Sequence, residues 1–244
     1  METNNSPKYR LTIKKAAKAG AILLFALLLI SFFSVLLLKW INPPTSAFMI
    51  QRQWEVYRNE GQNLEINYEW ISWENISPYV KVAAITSEDQ RFAEHWGLDM
   101  DAIEKAIDEH QKGESLRGAS TITQQTAKNL FLWPGQSFVR KGIEAYLALL
   151  MEGLLSKQRI LEIYLNIAEF GNGVYGVKAA SEIYFDTQPS DLDMIQSALM
   201  VTALPSPRRY NLADPSPYMI SRRNWILQYM HYLGNTDYLD RLDQ

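Results

Sequence analysis

The chain has 244 residues, with 24 Lys and Arg against 27 Asp and Glu, and no cysteine. That length suits one domain of about 150–200 residues with an appendage, and 47% hydrophobic residues are enough to fill a core, which sets wholesale disorder aside. Without cysteine there are no disulfides, zinc–thiolate sites or cysteine nucleophiles, and His95, His110 and His231 are not at metal-ligand spacing.

The first 19 residues carry Lys8, Arg10, Lys14, Lys15 and Lys18 and read as a basic cytoplasmic tail. Ala21 to Leu38 then gives 18 residues without a charge. As a helix this stretch is ~27 Å long, close to the hydrocarbon thickness of a bilayer. Only Lys39 follows closely, so the positive-inside bias puts the N-terminus in the cytoplasm and the remainder outside. We place an uncleaved signal anchor at 20–40. A cleaved signal peptide has a shorter apolar region and a small-residue cleavage site, for which Thr45-Ser46-Ala47 is a poor candidate; a buried core helix is the other alternative. Pro43-Pro44 is expected to break the helix and open a linker over 41–55, with the main domain from 56 to 244.

Beyond residue 18 the chain has 19 bases and 26 acids, yet Lys112 to Arg159 holds seven bases and three acids. A basic island in an acidic domain suits an anionic ligand or membrane surface; a solvated helix face is the plainer reading. The domain reads as mainly α. Strand signals are confined to about Asn63–Trp73. Apolar residues at helical spacing run from Ser137 to Phe170, divided near Gly153 and Ser156. Ser190-Asp191-Leu192-Asp193 looks like a cap opening a helix through Ala203.

Four segments carry candidate chemistry. In Glu88-Asp89-Gln90-Arg91-Phe92-Ala93-Glu94-His95-Trp96-Gly97, a helix would put Glu88, Phe92 and His95 on one face. A carboxylate beside an aromatic ring makes a better proton acceptor; the alternative is a surface Glu-Asp pair with a core Phe. Gly118 to Asn129 is dense in small, hydroxyl and amide residues. There Thr121, Gln124 or Gln125, and Lys128 can align to meet a sugar and an anion, or Thr121 and Gln124 can form a capping box. Arg140-Lys141-Gly142-Ile143-Glu144 holds either a pyrophosphate-binding cation cluster or a surface ion pair. In Lys157 to Asn166, Glu162 and Asn166 read as structural. Gly171-Asn172-Gly173-Val174-Tyr175-Gly176 fits G-x-G-x-x-G, but it follows a helix without a βαβ context, so a tight turn is expected rather than a dinucleotide site.

Taken together, these segments resemble the motifs of the glycosyltransferase family 51 peptidoglycan glycosyltransferases: EDxxFxxHxG, GxSTxTQQ, RKxxE and KxxILExYLN, each matched at every fixed position. Leu204-Pro205-Ser206-Pro207 with Arg208-Arg209-Tyr210 resembles the family's closing element. With no S-x-x-K or K-T-G, the likeness is to the monofunctional biosynthetic branch, and a transpeptidase domain is not expected.

The resemblance implies a lysozyme-like, mainly α glycosyltransferase domain with a small membrane-facing jaw subdomain, preceded by one transmembrane helix. Asn129 to Pro134 would dip into the interface. It implies lipid II and the growing glycan strand as substrates. The inner membrane would hold the chain and the periplasm its catalytic domain, with penicillin-binding and division proteins as possible neighbours and no nucleic acid. By resemblance Glu88 is the general base and Glu144 the second catalytic carboxylate. Lys128, Arg140 and Lys141 neutralise pyrophosphate, and Asp89, Phe92, His95, Ser120, Thr121, Gln124 and Gln125 shape and line the cleft. A divalent cation, Mg or Mn, is implied in the same way, with its ligands unknown, and no organic cofactor is expected. A lytic transglycosylase or lysozyme-like hydrolase shares the fold but needs no cation cluster, and a non-catalytic membrane-anchored division scaffold needs no intact motif set.

Overall fold

The computed structural model describes residues 7–58, 64–112, 120–135 and 137–242. Residues 1–6 of the basic tail, Asn63, and Gly118 with Ala119 of the second motif lie outside them.

The first helix, α1, runs from Pro7 to Leu37, so the helix reaches back through the basic segment. Lys14–Leu37 is long and apolar enough to cross a membrane. It ends before Pro43-Pro44. Its last carbonyls, those of Val35, Leu36 and Leu37, accept from the backbone N–H groups of Leu38 to Ile41, and just beyond them Arg159 donates to Leu38 O at 2.8 Å and Ile41 O at 3.3 Å and also reaches Asn42 Oδ1 at 2.8 Å. A cation at a helix C-terminus satisfies free carbonyls and the helix dipole together. The segment expected as a linker is mostly a second helix, α2 (Ala47–Arg58), which buries Met49 and packs on α5 (Ile122–Phe131).

Local capping explains most helix starts. Ser77 accepts the Tyr79 N–H at the start of α3 (Pro78–Glu88), with Pro78 in the first turn where its missing N–H costs nothing. Ser137 opens α6 (Phe138–Leu154) and Ser156 opens α7 (Lys157–Ile167), each accepting a backbone N–H two or three residues into its helix. The expected division of 137–170 into two helices is what the structure shows. Asp193 opens α9 (Met194–Val201) with a capping box through Gln196, while Ser190 and Asp191 belong to a 3-10 turn before it. Ser216 and Pro217 open α10 (Pro217–Tyr232).

The core is helical. α7 is buried from Ile160 to Ile167, packed by α5, α6 and α3. Its two polar residues hold the extended segment beside it: Asn166 pairs with both the N–H and the C=O of Ile71, and Glu162 accepts the Trp73 N–H. Buried backbone groups need such partners.

The small sheet has the order β1-β3-β2, with β1 (Asn67–Tyr68) parallel to β3 (Val174–Tyr175) and β2 (Glu169–Gly171) antiparallel to it. β1 falls inside the expected strand region; β2 and β3 do not. The glycine-rich run is therefore the hairpin between β2 and β3 and the turn into α8 (Gly176–Phe185). Gly176 has φ +81°, and a Cβ there would meet Asn166 O at 2.5 Å, so both conformation and space demand glycine.

Candidate active site

Glu88 is the last residue of α3. Beyond it the expected helix does not continue: Asp89 has φ −163°, and the following turn is stabilised from outside by Tyr238, whose hydroxyl donates to Gln90 O and accepts the Ala93 N–H. Glu88 is thereby left at the rim of a cavity of about 430 Å³ that it shares with Gln90, Asp101 and Ser120. One carboxylate oxygen accepts from the Ser87 hydroxyl and the other from the Gln125 amide, each at 3.0 Å. The Gln125 carbonyl accepts from the Tyr164 hydroxyl at 3.3 Å, which sets the amide's direction. Burial first, then Glu88 and Asp89, hold the Tyr164 phenol well above its ordinary pKa, so it remains a donor. Gln125 itself borders a second cavity of about 480 Å³ with Lys128, Asn129 and Arg208. The Glu88–Gln125 bond stands between the two.

Arg140 and Glu144 lie one turn apart on α6 and form a buried ion pair at 2.7 Å; Lys141 holds the other Glu144 oxygen at 2.5 Å and reaches Ser120 Oγ at 3.1 Å. This pair is inside the protein, unlike the surface alternative. Lys128, on the last turn of α5, sits 5.7 Å from the Phe48 ring centroid. Burial lowers its pKa; repulsion from Arg140 and Lys141 acts the same way, and Glu144 and Glu88 oppose it. Three cations thus share one carboxylate pair, an excess of positive charge in a partly dry site. Arg140 Nε is buried with no hydrogen-bond partner among the described residues. A spare donor in a cation cluster suits an anion with several oxygens.

The donor set does not fit a resident divalent ion. Both Glu144 oxygens are engaged by cations, and no group of three His, Asp or Glu among the described residues could hold a metal.

Other motif residues build the site without presenting free groups to it. Asp89 borders the Glu88 cavity, but its carboxylate accepts the Ile122 N–H at 2.9 Å and contacts His95 Nε2 at 2.9 and 3.0 Å. It therefore holds the first turn of α5. Phe92 and His95, expected to line the cleft, turn inward: Phe92 is fully buried, with the Lys157 ammonium 4.5 Å from its ring centroid, and His95 faces Asp89. Thr121 and Gln124 form the capping box of α5, with the Thr121 hydroxyl donated to Gly97 O at 2.7 Å. The capping reading is thus the one the structure forms, with Thr121 still on the lining of the Glu88 cavity. Ser120, Gln125, Lys128, Arg140 and Lys141 remain the groups able to meet a substrate.

The motifs alone gave no sign of the second cavity's far wall. α2 supplies Phe48, Gln51 and Glu55, β2 supplies Glu169, and the closing segment supplies Arg208 and Arg209. Arg208 ties this wall together, bonding Glu55 at 3.1 Å and Glu169 at 3.2 Å. The Leu204–Tyr210 segment was the one available signal.

A family model described as Transglycosylase matches residues 56–231. The chain belongs to the transglycosylase family. Among curated members, a biosynthetic peptidoglycan transglycosylase of Xylella fastidiosa (strain 9a5c) is 48% identical over 219 residues, 90% of each chain. Proteins of the same description from Pseudomonas savastanoi pv. phaseolicola and Pseudomonas putida F1 are 45% and 46% identical over 213 residues, 87% of this chain and 90% of theirs. The lysozyme-like helical architecture and the N-terminal apolar helix fit a membrane-anchored transglycosylase.

Proposed function

We propose that this chain polymerises peptidoglycan glycan strands by joining lipid II disaccharide units. The observation that carries this is the gathering of three cations around the buried Glu144: buried Arg140 and exposed Lys141 in contact with it, and half-buried Lys128 within electrostatic reach of both Glu144 and Glu88. The acceptor's GlcNAc 4-hydroxyl attacks the anomeric carbon of the growing strand's terminal MurNAc. Glu88 takes the hydroxyl proton as the new β-1,4 C–O bond forms, and the bond from the anomeric carbon to pyrophosphate breaks. A positioned carboxylate contributes about 10²–10⁴-fold to such a step. The cations meet the charge that accumulates on the leaving undecaprenyl pyrophosphate. Glu144 assists by holding Arg140 and Lys141 in place.

The basic N-terminal segment supports a cytoplasmic N-terminus and a catalytic domain on the periplasmic side of the inner membrane. A membrane-facing jaw is supported by α6, which exposes Phe138 (99%), Val139 and Ile143 and packs along α1, where Ser31 and Tyr146 hydroxyls meet at 2.8 Å. Trp133 is also exposed, beside Pro134. An apolar face running beside the anchor suits the headgroup boundary.

The test is to incubate the detergent-solubilised full chain with lipid II and resolve products by size. A ladder of polymers is expected. Cleavage of preformed glycan without polymerisation would instead establish a hydrolase, for which the cation cluster has no use.

A further inference from the structure

α10 carries an aromatic stripe that the reaction at Glu88 does not use. Tyr218, Arg222, Trp225, Tyr229 and Tyr232 recur at alternating spacings of four and three, which places them on one helix face. The fully buried residues of this helix are Met219, Ile226 and Met230, and the stripe runs beside that face, with Trp225 half-buried against the core. Its members stack on one another: Trp225 and Tyr229 have centroids 4.1 Å apart at 26°, and Tyr229 meets Tyr232 edge-on at 5.6 Å. Tyr210, from the segment that walls the second cavity, stacks on Tyr218 at 5.6 Å and 21°. Tyr218 and Tyr232 are 57% and 69% exposed. Over its 14-residue span the stripe covers about 21 Å. Arg222, Trp225 and Tyr229 between them are half-buried, so the exposed ends are joined by a continuous run of stacked rings, which marks a binding surface rather than scattered surface residues.

The stripe touches the wall of the reaction cleft. Arg222 lies 4.1 Å from the Trp225 ring centroid and donates to the backbone carbonyl of Ser87 at 3.3 Å. Ser87 immediately precedes Glu88 and lines the same cavity.

We infer that this face of α10 binds the glycan strand outside the reaction cleft, a reading that rests on the polymerase activity proposed above. Pyranose rings have apolar C–H faces and polar edges. Flat aromatic faces fringed by phenol hydroxyls and a guanidinium match both. The stripe lies on a helix packed against α3 and α9, whereas the anchor packs against α6; its occupant is the water-soluble strand and not the lipid. Holding the strand there slows its departure between additions without touching the reacting atoms.

The experiment uses the full chain in detergent with two variants, Tyr229→Ala/Tyr232→Ala and Tyr229→Phe/Tyr232→Phe. Short lipid-free glycan strands are the binding probe, and lipid II is the substrate. The alanine variant is expected to lose strand binding several-fold and to make strands several-fold shorter, while consuming lipid II within twofold of the parent rate. The phenylalanine variant retains the ring faces and is expected to restore both. Retained binding in the alanine variant overturns the inference, as does a product ladder of unchanged length; the surface would then be left to a protein partner. If the parent chain makes no polymer, the proposed function fails, and the binding measurement still reads the surface by itself.

Discussion

The Gln125 side-chain amide donates to Glu88 at 3.0 Å, and the helix that carries Gln125 is held at its first turn by the next residue in the chain, Asp89, through the Ile122 N–H at 2.9 Å. The candidate base and the group that orients it are therefore locked by adjacent carboxylates with divided duties: one faces a cavity and the other is spent on backbone. Glu88→Gln keeps an acceptor for Gln125 and removes the proton acceptor. Polymerisation is expected to fall by at least about 10²-fold, with thermal stability and lipid II binding near those of the parent. Parent-like turnover would remove Glu88 from the base role.

Asp89→Ala leaves the Ile122 N–H and His95 Nε2 without their partner in a buried place. Unsatisfied buried donors cost about 1–3 kcal/mol, and in a chain of this size each kcal/mol moves the melting temperature by roughly 2–4 °C. A drop of several degrees is expected, together with lost activity as Gln125 shifts from Glu88. An unchanged melting curve would show that α5 is held by other means.

The alkaline limb of the pH profile tests Lys128. Its pKa is lowered, by burial first and then by its neighbouring cations. As pH rises, the free enzyme loses this charge earlier than an ordinary lysine would, and affinity for an anionic leaving group falls with it. The alkaline limb of kcat/KM, which reports the free enzyme, is expected below the usual lysine value of about 10.4. Lys128→Arg stays charged throughout and is expected to move that limb upward. A limb that does not move assigns it to another group.

Arg140→Ala distinguishes a buried catalytic pair from a surface one. A surface i, i+4 pair contributes about 0.3–0.5 kcal/mol, which would hardly register. Arg140 and Glu144 are both buried, and the loss removes a donor aimed at developing charge, an effect on the order of 10²–10³ in kcat where such donors have been removed. Near-parent rates would return the pair to a structural role.

Much of this was legible in sequence because it is local. Ser137, Ser156 and Asp193 cap helices through neighbours three residues away, and the uncharged run from Ala21 to Leu38 announces a span by length alone. The residues that misled are those whose role depends on distant partners. Glu88, Phe92 and His95 share a helical spacing, but Tyr238, some 145 residues later, satisfies the Ala93 N–H and ends that spacing's meaning. Thr121 and Gln124 offered two readings, sugar contact or capping box, that spacing cannot separate. Only the packing of Thr121 against Gly97 and of Asp89 against Ile122 shows the capping box formed. α2 was hidden behind Pro43-Pro44 because its helical pattern is short, and its purpose, walling a cavity against Arg208, is a tertiary fact.

The anchor itself yields a final prediction. Arg159 sits in the fourth motif, yet its guanidinium is spent on Leu38 O, Ile41 O, Asn42 and Glu162, with the Trp70 ring centroid 5.1 Å away. It thus fixes the membrane helix to the catalytic domain at the point where the chain leaves the bilayer, and α1 continues down the face of α6 to the Ser31–Tyr146 contact. Since the chain has no native cysteine, a Ser31→Cys/Tyr146→Cys pair, bridged by a short bifunctional thiol reagent that spans the gap left by the tyrosine ring, reports this docking without background. Crosslinking is expected to be efficient in the parent and several-fold weaker when Arg159→Ala is added, because the helix end regains its freedom to pivot. Equal yields would mean that the packing of α1 on α6 holds the helix without the arginine.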